Sequence, residues 1–311
     1  MQLFKTRPNV DFMRHRRTAL VVSAVAVIAS LGSLLWRGLN YSVEFTGGVA
    51  IEASYGQPAD LGAIRKELTD AGFEDVHAQV LGATTDVLIT LRPPEQNADV
   101  GTLRDRVLQI LRSQGLTVEV RRFDTIGPQV GSDLAQNSVL AVLFASLCIC
   151  VYVALRFRWK LAVGAIVAEL HDVITTVGLF SIVGWQFDLS VLAAVLAVLG
   201  HSLNDKIVLY DRVRENFRLM RRGSAAAIVN SSVNQVLSRT FVTSGATMVA
   251  VVALALFGGQ TLFGFSMALI FGIGVGVYSS IYVASAMALL LKVTPTDLVP
   301  TKEKVAGDGL P

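Results

Sequence analysis

At 311 residues the chain could hold one or two globular domains, yet 52% of its residues are hydrophobic and only 16% are charged. A soluble domain carries about 25% charged residues, and the mean hydropathy of +0.55 arises from long apolar runs, so composition favours membrane spans over a soluble core. The formal net charge of +3 is too small and scattered for nucleic acid, and the two cysteines, Cys148 and Cys150, give neither a disulfide framework nor a metal cage.

The tail, residues 1–17, carries Lys5, Arg7, Arg14, Arg16 and Arg17 ahead of a first apolar run, 18–36. That run exceeds the roughly 7–15 residues of a signal-peptide core and no small-residue cleavage site follows, so an uncleaved span is expected. Residues 37–134 then read as a folded domain. VAIEASY (49–55) alternates as a strand, and ADLGAIRKELTDAGF (59–73) has helical spacing through Leu61, Ile64 and Leu68, with a stop at Gly72. VHAQVL and DVLITLR form two strands around Gly82-Ala83-Thr84. VGTLRDRVLQILRSQGL repeats the helical pattern through Leu103, Val107, Leu108 and Leu111 up to Gly115, and TVEVRRF (117–123) closes as a strand. The order β-α-β-β-α-β predicts a ferredoxin-like α+β domain. Its one histidine, His77, is expected at a surface or half-buried strand position, and the domain holds no catalytic constellation.

Five more apolar runs follow, at 135–155, 161–183, 187–210, 238–257 and 262–291, each near or above the ~20 residues a spanning helix needs. Two pairs are joined by tight turns, one at Gly184 and one at Gly258-Gly259. The last run has small residues at every fourth position, Gly264, Ala268, Gly272, Gly276, Ser280, Ala284 and Ala288, a stripe that lets another helix approach closely. Basic residues fall in the N-terminal tail, in RFRWK (156–160), in the 211–237 segment with Arg239 just beyond it, and in the tail 292–311 with Lys292, Lys302 and Lys304; the turns near 185 and 259 have none. With six spans and both termini cytoplasmic, all of these basic connections lie on one side. The expected class is therefore a polytopic α-helical membrane protein of six transmembrane helices. Its ferredoxin-like domain, 37–134, is exported, and a five-helix membrane region covers 135–291. DRVRENFRLMRRG (211–223) is expected to leave the fourth span as an amphipathic helix at the lipid headgroups.

Ionisable groups inside spans are functional candidates, because each costs at least ~2.5 kcal/mol at the helix centre. The third span holds Glu169, His171 and Asp172; the fourth holds His201, Asn204, Asp205 and Lys206. Asp205 lies about 8 Å inside the cytoplasmic end of its span, with His201 one turn deeper on the same face. Arg239 opens the fifth span at a compatible depth. An acid that moves between burial and an arginine partner exchanges a proton; the same residues could equally form a static pair between two helices. For Glu169 a pairing with His171, Lys206 or a neighbouring chain suffices.

Ordered motifs then connect the chain to known proteins: EFTGG (44–48), IGPQVG (126–131), HDVI (171–174), FDL (187–189), GHSLNDKIVLYDRVREN (200–216), SRTFVTSG (238–245) and SSIYVASA (279–286). Together they resemble the SecF family, the smaller subunit of the bacterial SecD–SecF accessory complex of the Sec translocase. The resemblance implies a fold related to the resistance-nodulation-division transporters, in the bacterial inner membrane, with SecD supplying a second six-helix half. It implies no enzyme activity and no cofactor, protons being the coupling ion. Implied partners are SecD, the SecYEG translocon with YajC and YidC as further candidates, the emerging preprotein at the exported domain, and membrane lipid. Asp205 would be the proton-linked acid and Arg239 its functional partner, with Asn204, His201, Lys206, Asp172 and His171 as relay or modulating groups. Three positions depart from the family pattern. Glu44 replaces the usual Asp, His201 stands where Tyr is usual, and Lys206 stands where a small polar residue is common, so Lys206 either snorkels to the interface or competes with Arg239 for Asp205. Other readings are a proton-coupled small-molecule exporter of the same fold, an intramembrane aspartyl protease using Asp172 and Asp205, and a structural partner of SecD that conducts no protons.

Overall fold

The computed structural model of the chain describes residues 9–81, 83–92, 100–112, 118–220, 223–259 and 262–294. The basic residues Lys5, Arg7, Arg221, Arg222, Lys302 and Lys304 and the expected stops at Gly82 and Gly115 lie outside the described residues.

A 3₁₀ turn, Phe12–His15, leads into α1 (Arg16–Trp36). A two-residue strand β1 (Asn40–Tyr41) and a single helical turn α2 (Val43–Thr46) then enter the extramembrane domain. There β2 (Gly48–Tyr55), α3 (Leu61–Asp70), β3 (Glu74–Leu81), β4 (Ala83–Arg92), α4 (Val100–Arg112) and β5 (Val118–Ile126) follow the expected order. The sheet runs β3–β4–β2–β5, every neighbour antiparallel, which is the ferredoxin-like arrangement. Alternation along β2 buries Val49, Ile51, Ala53 and Tyr55 on the helical side, against Ile64 and Leu68 of α3 and Leu103, Val107 and Leu111 of α4. The helical periodicity therefore located the core face, with Leu61 and Leu108 at its half-buried margin. Asp60 fixes the start of α3 by accepting from the amides of Gly62 and Ala63 at 2.8 and 3.2 Å. His77 is exposed.

The membrane region comprises α5 (Pro128–Arg156), α6 (Trp159–Val183), β6 (Gln186–Phe187), α7 (Leu189–Leu219), α8 (Ala225–Phe257) and α9 (Phe263–Ser279). A π-helical turn, Ser280–Ala284, continues α9 into α10 (Ser285–Leu290). Among the described residues, six rods are long and apolar enough to cross a bilayer: α1 with its preceding turn, α5, α6, α7, α8, and α9 joined to α10. The middle rods α6, α7 and α9 are the more buried ones. The outer rods α1, α5 and α8 present apolar side chains such as Ile28, Phe144 and Leu256 outward. Several helices outrun their apolar stretches. α5 begins at Pro128 rather than 135, and α7 passes Tyr210 without a break to Leu219. The polar residues 211–219 and 225–237 are thus the ends of α7 and α8, joined by Asn216 Nδ2 to Ser232 Oγ at 2.8 Å and anchored by buried Val213 and Phe217.

The small-residue stripe of the last span does pack, and it packs on α7. A Cβ at Gly264 would come within 2.8 Å of Val191 Cγ2 and one at Gly276 within 2.7 Å of Ser202 Oγ, while one at Gly272 would drive into Val198. A π turn leaves a carbonyl out of the regular ladder; here the fully buried Tyr210 hydroxyl of α7 donates to the Ala284 carbonyl at 2.9 Å. The α6–α7 hairpin turns at Gly184, which is left-handed with φ +80°. At the neck of the domain, Gly47 and Gly48 have φ +71° and +131°, and a Cβ on Gly47 would lie 2.7 Å from Pro128 Cα. The EFTGG and IGPQVG motifs are therefore two halves of one tight joint.

Candidate functional site

Each residue along an α-helix turns the side chain by about 100°, so neighbours in sequence address different surroundings. On α7 this separates Asp205 from Lys206. Asp205 is buried against α8, where its Oδ2 accepts from Ser244 Oγ at 3.2 Å. The same hydroxyl lies 3.2 Å from His201 Nε2, one turn away and half-buried, so His201, Ser244 and Asp205 form a short polar chain. Asn204, on an adjoining face, is exposed and its side chain makes no hydrogen bond among the described residues. Arg239 is also exposed and forms no ion pair with Asp205. It lies five residues before Ser244, about 7.5 Å back along the α8 axis.

Lys206 does neither of the things expected of it. It is fully buried rather than snorkelling, and it turns away from Asp205 towards α6. Its Nζ donates to Asp172 Oδ2 at 2.7 Å, Glu169 Oε2 at 2.8 Å and Ser202 Oγ at 2.6 Å. The reason is local: Ser202 and Lys206 share a face at i, i+4, and that face meets α6, where two buried acids require a cation. Asp172 is saturated. Its Oδ2 also accepts from Ser202 at 2.5 Å and from Ser279 of α9 at 2.7 Å, and its Oδ1 lies 3.0 Å from His171 Nδ1. Glu169 pairs with Lys206, one of the three partners named for it from sequence. Because Asp172 and Asp205 engage different faces of α7, they do not share the dyad that an aspartyl protease needs.

A fourth acid acts at the far end of the same helix. Glu44, from the EFTGG element, reaches the first turn of α7, where its Oε2 accepts from the Leu189 amide at 2.7 Å. Asp188 caps the next open amide, accepting from Val191 at 2.8 Å. Two carboxylates at this N-terminus meet both the unpaired amides and the positive end of the helix dipole. Sequence reading passed over Ser202, Ser244 and Ser279. The i, i+4 spacing of Ser202 and Lys206 could have flagged the first, whereas the other two enter only through helix packing.

Comparison with known proteins agrees with this construction. Residues 106–294 match the family described as protein export membrane protein SecD/SecF, C-terminal, and residues 32–59 match the SecD/SecF GG motif. Proteins named protein translocase subunit SecF from Vibrio alginolyticus and Pseudomonas aeruginosa are each 43% identical to the chain. The alignments cover 98% and 97% of this chain and 97% and 98% of those relatives. That of Escherichia coli O157:H7 is 40% identical over 100% of this chain and 96% of the relative. The crystal structure of SecDF, a translocon-associated membrane protein from Thermus thermophilus, superposes with a TM-score of 0.84 at 35% identity over 93% of this chain. A SecDF structure in a super-membrane-facing form gives 0.67 over the same share. This chain spans 39% of each of those SecDF chains. A multi-pass membrane protein with the GG neck, the saturated α6–α7 cluster and relatives alike over their whole length, the chain belongs to the SecF family of protein translocase subunits.

Proposed function

We propose that this chain assembles with SecD in the bacterial inner membrane and couples proton flow to the export of preproteins emerging from SecYEG. Both termini are then cytoplasmic and residues 37–134 periplasmic, as the clustering of Arg and Lys at one set of helix ends favours. SecD is the first partner, since the solved SecDF chains are more than twice the length this chain covers. The translocon, the preprotein, YajC and YidC follow from the same family reading, and protons serve as the coupling ion with no further cofactor.

The observation that carries the proton assignment is the poor bonding of Asp205. A carboxyl buried in a span whose one side-chain hydrogen bond among the described residues comes from a neutral hydroxyl at 3.2 Å is held weakly in either protonation state. A change of surroundings then changes its proton occupancy. Arg239, exposed on the next helix about a turn and a half away, is the cation such a movement would bring up. His201 shares Ser244 with Asp205 and is placed to modulate it, and Asn204 faces outward where a partner half would lie.

The test compares wild type with Asp205→Asn, co-assembled with SecD and SecYEG in vesicles, by following completion of preprotein translocation with and without a proton gradient. The expected result is loss of the gradient-stimulated component with assembly unchanged. Full stimulation in the variant would return the chain to a structural role beside SecD.

A further inference from the structure

Counting charges around Lys206 leaves one proton to be placed. Glu169, Asp172 and Lys206 are buried in a single hydrogen-bonded knot. With both acids ionised and the amine protonated, the knot carries a net negative charge in the membrane interior, where an uncompensated charge is heavily disfavoured. The other groups that face it supply no cation. Tyr278 of α9 stacks 6.4 Å from His171 and gives its hydroxyl to the Ala19 carbonyl. Cys150 of α5 borders Glu169, and Tyr210 of α7 is committed to Ala284. Asp205, His201 and Arg239 belong to the α8 side of α7.

The two acids are not equivalent. Asp172 collects donors on both oxygens, the surroundings of a carboxylate. Among the described residues, Glu169 receives only Lys206 on Oε2, while its Oε1 is buried with no partner. A bare buried oxygen suits a neutral carboxylic acid far better than an anion. His171 is the rival holder. Its Nδ1–H bonds Asp172 in the neutral tautomer, but a second proton would sit on Nε2, which is buried without an acceptor. Glu169 also lines a small, largely apolar cavity of about 50 Å³ with Ser146, Ile149 and Cys150 of α5, surroundings that favour the neutral acid over the anion.

We propose that Glu169 carries a proton in this conformation, giving the chain a second exchangeable proton site, separate from Asp205, on the α6 side of α7. Its occupancy does not depend on the export reading; only its use in transport would.

Infrared spectra of the full chain co-assembled with SecD in lipid, recorded in H₂O and D₂O, report protonated carboxyls through their C=O stretch. At neutral pH the wild type is expected to show such a band, Glu169→Gln to lose one carboxyl's worth of it, and Asp205→Asn to keep that share. Lys206→Met removes the cation and leaves two buried acids, so the band should grow by about one carboxyl. Selective 13C labelling of glutamate side chains, which should shift that share of the wild-type band, keeps the test decisive if Glu169→Gln does not assemble. An intensity unchanged in Glu169→Gln, or unchanged in Lys206→Met, would overturn the assignment. Export plays no part in this readout, so a failure of proton coupling at Asp205 leaves the result intact.

Discussion

Two faces of one helical turn on α7 are built to opposite standards. On the α6 side, Lys206 makes three hydrogen bonds of 2.6–2.8 Å and Asp172 gathers donors from three helices. On the α8 side, Asp205 has a single hydroxyl contact at 3.2 Å, and the nearest basic residue along α8 is exposed and unpaired with it. The same acid-and-base vocabulary is thus densely bonded on one face and sparsely bonded on the other. An ionisable residue in a span is informative only once its bonding is known.

The largest effect should come from breaking the saturated face. Asp172→Ala leaves Lys206, Ser202 and Ser279 short of their acceptor and unbalances buried charge, at a cost of about 3–5 kcal/mol. It should appear as a large drop in the unfolding temperature of the purified complex. Ser244→Ala removes the one hydrogen bond to Asp205, for about 1 kcal/mol or less. Here the unfolding temperature should barely move while gradient-stimulated translocation changes. Equal thermal shifts in the two variants would erase the contrast between the faces.

A carboxylate outside the membrane sharpens the contrast with a smaller effect. The Ser54 hydroxyl at 2.6 Å, aided by Arg121, holds Asp86 below the usual carboxylate range against the opposing desolvation. Its folded value is therefore lower than its unfolded one. The stabilisation is fully present above the unfolded value of about 3.9 and is lost as pH falls through the folded one. Urea unfolding of the domain within the full chain, followed by amide exchange on β2 and β4 with intrinsic rates corrected, should show stability declining in acid. Ser54→Ala should flatten that decline, and an identical acid slope in the variant would remove Asp86 from the account.

The spans, the domain's strand and helix order, and the α9 stripe were legible in the sequence because each rests on a local period: apolar run length, alternation, or small residues at every fourth position. The directions of Lys206 and Asp205 were not. They are consecutive residues, read as one locus along the chain, and only the packing of α6 and α8 on two sides of α7 tells them apart. Glu44 was flagged as a longer acid than usual, but its target, the Leu189 amide, lies 145 positions away. No periodic signal reaches that far. Ser244 and Ser279 were invisible for the same reason, being ordinary small residues until another helix supplies a carboxylate.

The Glu44–Leu189 bond has a mechanical meaning. α7 is a rod of 31 residues, about 46 Å long, and its outer tip is held by a side chain rooted in the neck of the α+β domain. That neck is stiff, since Gly47 and Gly131 lie against opposing backbone with no room for a methyl group. A torque on the outer domain must then either snap this linchpin or swing the rod's tip. In the second case the displacement travels along one unbroken axle to the level of Asp205, some 24 Å below. The domain's neck and the rod that carries Asp205 are thereby joined at the rod's outer tip by this carboxylate together with the β1–β6 pairing and the Ser42–Phe187 backbone bond.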